Sequence, residues 1–244
     1  GELRAVVRGL RNGRAGGASG IKAEHLKEWL RGVLEEEEKG PEGLGDRWRA
    51  FVRLIRTIWE QGSIPQQMTW MIVVLLPKGG GDYRGIGLLE PFWKVVEVLM
   101  DKRLQVIDFH DCLHGFLAGR GTGTATAEAK LAQQYAYLEQ EAFYLVFIDL
   151  MKAYDAMDRE RCLAILKAYG VGPNMLRLIE RFWEEALLAC RASGCFGQPF
   201  KAYRGVTQGG PLFLRLFNII VNAVVQEWMR QCLGDEAAAN GYGE

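Results

Sequence analysis

Residues 143–148 read FYLVFI, six apolar residues without a break, and the run stops at Asp149. Few arrangements tolerate such a segment. It is short and rich in aromatic and branched side chains, so it is predicted as a strand buried on both faces. A carboxylate at the end of a buried strand costs several kcal/mol unless a cation, a donor or water meets it. The pattern therefore asks for a core deep enough to take the strand and an opening at its end. Lys152, Asp155 and Asp158 follow closely. Two readings of Asp149 stand side by side at this point. It is an oxygen ligand for a hard cation such as Mg²⁺, whose shell is completed by water and substrate phosphates, or it is a helix cap or an ion pair with Lys152.

A chain of 244 residues can surround such a strand, as one large domain or two modest lobes. Thirty basic and thirty acidic residues give a net charge of zero. Global attraction to a polyanion or an anionic membrane is excluded, and any such site must be a local patch. Cys112, Cys162, Cys190, Cys195 and Cys232 are odd in number and show no framework spacing, which predicts reduced thiols in an intracellular protein. No apolar run approaches the roughly 18–20 residues of a membrane span, so no membrane partner is expected. Gly1 stands where an initiator methionine would, and the expectation is of a segment cut from a longer polypeptide.

Helices dominate the remaining pattern. A basic, glycine-rich opening leads into a helix with Trp29 and Leu30 inward, and residues 35–41 (EEEEKGP) form a solvated linker. Trp48, Phe51, Val52, Ile55, Ile58 and Trp59 recur at helical period, with Gly62 and Pro65 as stops. A buried strand, MTWMIVVLLPK, precedes a turn at Gly79, Gly80 and Gly81. Further helices are predicted from Pro91, from the loop HGFLAGRGTGTA toward Gln140, over 159–170 and 173–186, and from Pro211, the last carrying Phe217, Ile220, Val221, Val224, Val225 and Trp228. Two short strands, ALLACRAS and PFKAYRGV, are predicted to form a hairpin. The class is α+β.

Beyond Asp149, three stretches carry chemistry. In LLPKGGGDYRGIGLL a strand delivers Lys78, three glycines reverse the chain and Arg84 follows; a mobile point charge and a planar fork suit a polyphosphate, and the same features describe an exposed hairpin with solvated charges. In RGVTQGGPLF, Gln208 precedes Gly209, Gly210 and Pro211, which permits close backbone approach at a helix start or makes a simple turn. GFLAGRGTGT lacks the terminal Gly-Lys-Ser/Thr and follows no strand, so it is not a nucleotide-binding P-loop, although its glycines let a backbone approach something flat or anionic. His110, Asp111, Cys112 and His114 do not have zinc spacing. The GGASG around Ser19 is not a nucleophile elbow, and His25, His110 and His114 form no triad pattern.

The order of these stretches is more specific than any one of them. IPQQMTWMIVVLLPKGGGDYRGIGLL, WKVVEVLMDKRL, HGFLAGRGTGTA, VFIDLMKAYDAMD and RGVTQGGPLFLRLFNI together resemble the reverse transcriptase family, most closely its non-LTR retrotransposon branch. AGGASGIKAEHL resembles the segment preceding the fingers motifs there. The resemblance implies a fingers and palm fragment of a right-hand RNA-directed DNA polymerase, mostly helical with a small, mainly antiparallel palm sheet. It implies an N-terminal helical extension over 1–61, fingers over 62–142, and a palm with interleaved fingers helices over 143–244. Asp149 is implied as the catalytic, metal-binding aspartate, with the Leu150 carbonyl beside it, for Mg²⁺ or Mn²⁺. Lys78, Arg84, Tyr154 and Gln208 are implied as nucleotide-binding, with Tyr154 screening the sugar 2′ position. Gly209, Gly210 and Arg120 are implied as template–primer contacts. The implied partners are an RNA template, a DNA primer and deoxynucleoside triphosphates, and the implied compartment is the nucleus or cytoplasm.

The chain departs from the family pattern at three places. Gly85 stands where a proline is usual. Phe213 stands where a small residue is usual, and its bulk is expected to crowd the surface beneath the nucleotide. No adjacent Asp-Asp occurs anywhere in the chain, and Asp235-Glu236 lacks a preceding apolar strand. The second carboxylate motif and the thumb are thus missing, and this chain alone is expected to be inactive. A catalytically inactive RNA-binding remnant of such a polymerase is the alternative.

Overall fold

The computed structural model describes residues 1–31, 45–192, 194–206 and 209–234. The predicted linker at 35–41, Gln208 and the Asp235-Glu236 pair lie outside the described residues. Among the described residues the helices are α1 (Glu2–Gly9), α2 (Ala23–Trp29), α3 (Asp46–Gln61), α4 (Pro91–Leu104), α5 (Thr122–Leu138), α6 (Ala153–Ala156), α7 (Arg159–Ala168), α8 (Pro173–Glu185) and α9 (Pro211–Leu233). Local chemistry explains their bounds. Pro91, Pro173 and Pro211 occupy first turns, where a missing N–H costs nothing. The Asp158 side chain accepts from the Arg161 amide and caps α7. Gly62 ends α3 in the left-handed conformation, as its stop signal predicts.

The α3 periodicity maps onto the core, since Trp48, Phe51, Ile55 and Ile58 are buried. That face packs on α8, while α4 is held by α1, α2 and α9. In the N-terminal helix Leu30 is inward, but Trp29 remains partly exposed, edge-on to Phe51 at 6.4 Å. Trp93 of α4 stacks face to face on Phe182 of α8, with centroids 4.3 Å apart, and Phe213 of α9 lies 6.1 Å beyond. Phe213 is therefore a buried core residue, correcting the expectation that it crowds a substrate surface.

One four-stranded sheet has the order β2–β1–β3–β4, with β1 Trp70–Gly79, β2 Asp82–Leu88, β3 Leu187–Ala192 and β4 Cys195–Phe196. β1 and β2 form an antiparallel hairpin across Gly79, Gly80 and Gly81, all at positive φ. β1 and β3 are parallel, from Trp70↔Leu187 to Val74↔Arg191. The sheet is thus mixed, and the mainly antiparallel expectation holds only for its two outer pairings. The reason is topological: five helices intervene between β2 and β3, long enough for a crossover that returns the chain in the original direction. The predicted second hairpin strand shortens to β4, with only a bridge between Leu188 and Phe200.

The largest correction concerns the run 143–148. Residues 141–150 form no strand and are exposed, with Tyr144 at 86% and Phe147 at 87% of full exposure. A strand owes its stability to a neighbouring ladder and a covering face. None of the described strands lies beside this segment. The outer face of α5 is similarly open, with Leu131, Tyr135 and Leu138 exposed.

Helix α9 also differs from its sequence pattern. Leu212, Phe213, Leu216 and Ile219 are buried, whereas Val224 and Trp228 of the expected stripe are exposed. The buried face includes a polar ladder. Arg215 pairs with Asp101 at 2.9 Å, and Asn218 donates to the Gly115 carbonyl at 2.7 Å. Asn222 accepts from the His110 amide at 2.8 Å and donates toward the Asp108 carbonyl and the Tyr169 hydroxyl. Tyr169 in turn donates to Gln226 at 2.7 Å. By length and mean hydropathy α9 is the one described helix long and apolar enough to cross a membrane, although four of its polar side chains are spent on contacts with other parts of the fold.

Candidate functional site

The β1–β2 hairpin projects from the sheet, and its tip is exposed from Leu75 to Gly85. Arg84 pairs across the ladder with Leu76, and Lys78 lies two residues further toward the tip, at a register shift between Pro77 and Gly79. Both predicted phosphate-binding cations are thus exposed on one projecting element. Gly85 sits opposite Leu75 within the ladder, and a Cβ there would approach Val73 Cγ1 at 3.1 Å.

Tyr154 lies on the short helix α6, with its ring 4.6 Å from Phe217 of α9. Its hydroxyl is buried and has no hydrogen-bond partner among the described residues. Burial pushes the phenol above its ordinary pKa, and the nearby Arg84 guanidinium pulls the other way. Arg84 and Tyr154, far apart in sequence, therefore lie within electrostatic range of each other.

A glycine-rich segment closes the same region. Gly205 has φ +74, and a Cβ on it would come within 2.7 Å of the Asp155 Cα and the Tyr154 carbonyl oxygen. The Val206 amide donates to the Tyr154 carbonyl, and the Gly205 amide to that of Met157, both at 2.9 Å. Arg159 holds the approach to this segment. Its guanidinium donates to the carbonyls of Gly205 at 2.9 Å, Ala202 at 2.6 Å and Trp183 at 3.2 Å, and burial lowers its pKa. Further on, Gly209 packs so tightly on β2 that a Cβ would overlap the Gly87 carbonyl, and a Cβ on Gly210 would overlap the Glu97 carboxyl. Gly205→Ala is expected to cost roughly 2 kcal/mol or more from its left-handed backbone and the lack of space, read as a lower urea midpoint at unchanged slope.

The structure thus puts Arg84 within electrostatic range of Tyr154, and Gly209 against Gly87 on the strand that carries Arg84. Asp149 and Leu150 lie on the exposed 141–150 segment that leads to α6. Asp149 caps no helix and has no ion pair among the described residues, so neither the cap nor the Lys152 pair of the sequence reading is present. A free carboxylate with a carbonyl beside it suits a hard cation; a cluster of three or more metal-ligating side chains does not occur among the described residues. Arg120 serves the loop before α5: its Nη1 lies 3.0–3.1 Å from the carbonyls of His110, Asp111 and Leu113, and its Nη2 pairs with Asp111 at 2.8 Å.

Sequence reading missed Arg159 and Glu97. Glu97 had a legible signal, since it is the one acid within the apolar face of KVVEVLM. Arg159 had none, because its carbonyl partners come from two distant segments.

The model of one family, described as reverse transcriptase (RNA-dependent DNA polymerase), matches residues 76–242. Among curated proteins, the chain is 22% identical over 182 residues to the Retrovirus-related Pol polyprotein from type-2 retrotransposable element R2DM of Drosophila melanogaster, covering 72% of this chain and 17% of that protein. It is 22% identical to the Transposon TX1 uncharacterized 149 kDa protein of Xenopus laevis, covering 82% of this chain and 17% of that protein. It is 23% identical to the Retrovirus-related Pol polyprotein from type-1 retrotransposable element R2 of Popillia japonica, covering 68% of this chain and 24% of that protein. The chain thus spans between a sixth and a quarter of the length of these relatives, and the likenesses support the non-LTR branch. With a family model matched over more than half its length, and with the motifs of that family in order, the chain belongs to the reverse transcriptase (RNA-dependent DNA polymerase) family.

Proposed function

We propose that this chain is the fingers and N-terminal palm part of a retroelement RNA-directed DNA polymerase, and that it serves template-directed nucleotidyl transfer by a two-metal mechanism. The observation that supports the reading is that Arg84 lies within electrostatic range of Tyr154, whose hydroxyl is buried and unpartnered among the described residues, while Gly209 packs on the strand that carries Arg84. Lys78 and Arg84 neutralise and orient the triphosphate of an incoming deoxynucleotide. Tyr154 stands against its sugar and excludes a 2′-hydroxyl. Gly209 and Gly210, with Gln208, let the backbone lie flat beneath the nascent base pair. Arg120 shapes the loop that meets the template–primer, whose A-like duplex is held by shape and backbone contacts. Asp149 and the Leu150 carbonyl supply this chain's ligands for Mg²⁺ or Mn²⁺. The bound ions would clamp the attacking and leaving oxygens of an in-line displacement. The exposed run 143–148 fits a palm strand that gains its ladder partner from a later hairpin of the family.

The alternative is a catalytically inactive RNA-binding remnant of such a polymerase. One titration tests both. A fluorescent deoxynucleoside triphosphate is titrated onto the chain with an RNA–DNA primer–template and Mg²⁺, and extension is followed in the same samples. Metal-dependent nucleotide binding is expected. Arg84→Ala should weaken it roughly tenfold or more, the size of a lost charge-assisted hydrogen bond, and Tyr154→Ala should raise affinity for the ribonucleotide. Metal-dependent nucleotide binding, with or without extension, selects the polymerase reading, whereas salt-dependent primer–template binding without nucleotide binding or extension selects the remnant.

A further inference from the structure

Glu97 is fully buried on α4, one turn after Trp93. The Trp93 indole N–H donates to its Oε1 at 3.0 Å, and Trp93 is itself locked by its stack on Phe182. The other oxygen, Oε2, is buried and has no hydrogen-bond partner among the described residues. Gly210 lies directly over it, so closely that any side chain there would overlap it. Gly210 is the N-cap of α9, and Pro211 after it offers no N–H. On its other side the turn is confined by β2, where Gly209 meets the Gly87 carbonyl three residues from Arg84. An orphaned buried oxygen costs more than an ordinary contact returns, so its retention under this turn calls for a role.

We propose that Glu97 is the positioning residue of the Gly209–Gly210 turn, its carboxyl group forming the floor that sets how far the turn rises toward a bound nucleotide. The proposal rests on the nucleotide-binding reading of that turn. The chemistry of the floor follows from its burial, which raises the carboxyl from its ordinary 4.5 to about 8 and keeps it neutral at physiological pH. Few charges oppose this. On α4 itself, Lys94 pulls the value down and Asp101 pushes it up. From α9, Arg215 is paired with Asp101; from α1, Glu2 engages Arg103; from α2, Lys27 donates to the Leu10 carbonyl. Ionisation would place a bare negative charge against the turn, and the turn would lift.

Amide hydrogen exchange of the 244-residue chain tests this between pH 6 and 9. Rates at Gly209 and Gly210 are corrected for intrinsic exchange and referred to Leu216 inside α9, so that global unfolding divides out. Affinity for the fluorescent deoxynucleotide with Mg²⁺ is measured in parallel. Protection of the turn is expected to fall roughly tenfold across the alkaline limb, one pKa unit's worth of differential interaction, and nucleotide affinity to fall with it. Glu97→Gln should flatten both profiles. Constant protection of the turn in the wild type, or a Glu97→Gln profile parallel to it, overturns the proposal. If protection falls with pH while affinity does not, the positioning role stands and the nucleotide-binding reading of the turn fails. Should Glu97→Gln fold poorly, Gly210→Ala supplies a second arm. It is expected to be damaging alone and tolerated with Glu97→Ala, and strictly additive effects on the urea midpoint would overturn the contact.

Discussion

Replacing Asn222 by leucine is expected to destabilise the chain by about 2 kcal/mol, although the two side chains share their branching and number of heavy atoms. Asn222 is fully buried in α9 and serves three groups through one amide. Its oxygen accepts the His110 N–H, and its nitrogen donates toward the Asp108 carbonyl and the Tyr169 hydroxyl. Leucine removes the acceptor of the buried His110 amide bond and one donor to the part-exposed Asp108 carbonyl, and the buried bond carries most of the cost, roughly 1–3 kcal/mol. The apolar surface it adds returns part of that through transfer from the unfolded chain's water, while its bulkier end must fit a space shaped for an amide. Tyr169 retains Gln226, so its hydroxyl is only partly deprived. Urea unfolding of Asn222→Leu checks the size, and a loss under 1 kcal/mol would mean that water replaces the lost partners. Asn222→Asp separates the two halves of the amide: it preserves the acceptor for His110 and removes the donor, so its damage should shrink as pH falls and the carboxyl protonates.

Glu97 predicts an unusual dependence of stability on pH. Its folded-state value near 8 lies above its ordinary 4.5. Below 4.5 both folded and unfolded chains hold the proton, and its contribution is complete. Between 4.5 and about 8 only the folded chain holds it, so each pH unit removes about 1.4 kcal/mol of stability. Above about 8 both forms are ionised and the curve levels. Most surface carboxylates act in the opposite direction, so the effect is isolated as a difference. The stability of Glu97→Gln minus that of the wild type should rise by a few kcal/mol between pH 5 and pH 8. Equal curves for the two proteins across that range would show that Glu97 is ionised in the fold. The same difference, plotted against pH, gives the folded-state pKa directly from its plateau.

Asp149 illustrates what could be read in advance. That a carboxylate closes an apolar run was legible, because charge and apolarity are properties of residues, whereas its freedom from a cap or a Lys152 pair was not. That the run would lie unpaired was not, because a ladder partner is a property of another segment. The Lys78 and Arg84 hairpin was legible down to its turn, since three successive glycines permit the positive φ that the reversal requires. Its proximity to Tyr154 was not, although the family resemblance implied both residues in one site. On α9 the spacing showed a helix, but apolar residues surround most of its circumference. Which side faced the core was decided by α4 and α7 and by the partners waiting for Arg215, Asn218 and Asn222.

The order of amino acids alone determined seven of the helices, with α1, α6 and the Asp158 cap unread, together with the stop at Gly62, the glycine turn and the family to which the chain belongs. These follow from local backbone preference, from period, and from motifs whose spacing is written along the chain. The parallel pairing of β1 with β3, the approach of Arg84 to Tyr154 and the carboxyl floor under Gly210 were decided only by the tertiary structure. Each joins segments tens of residues apart, and their energies depend on distance and burial, quantities that exist only once the chain has closed on itself.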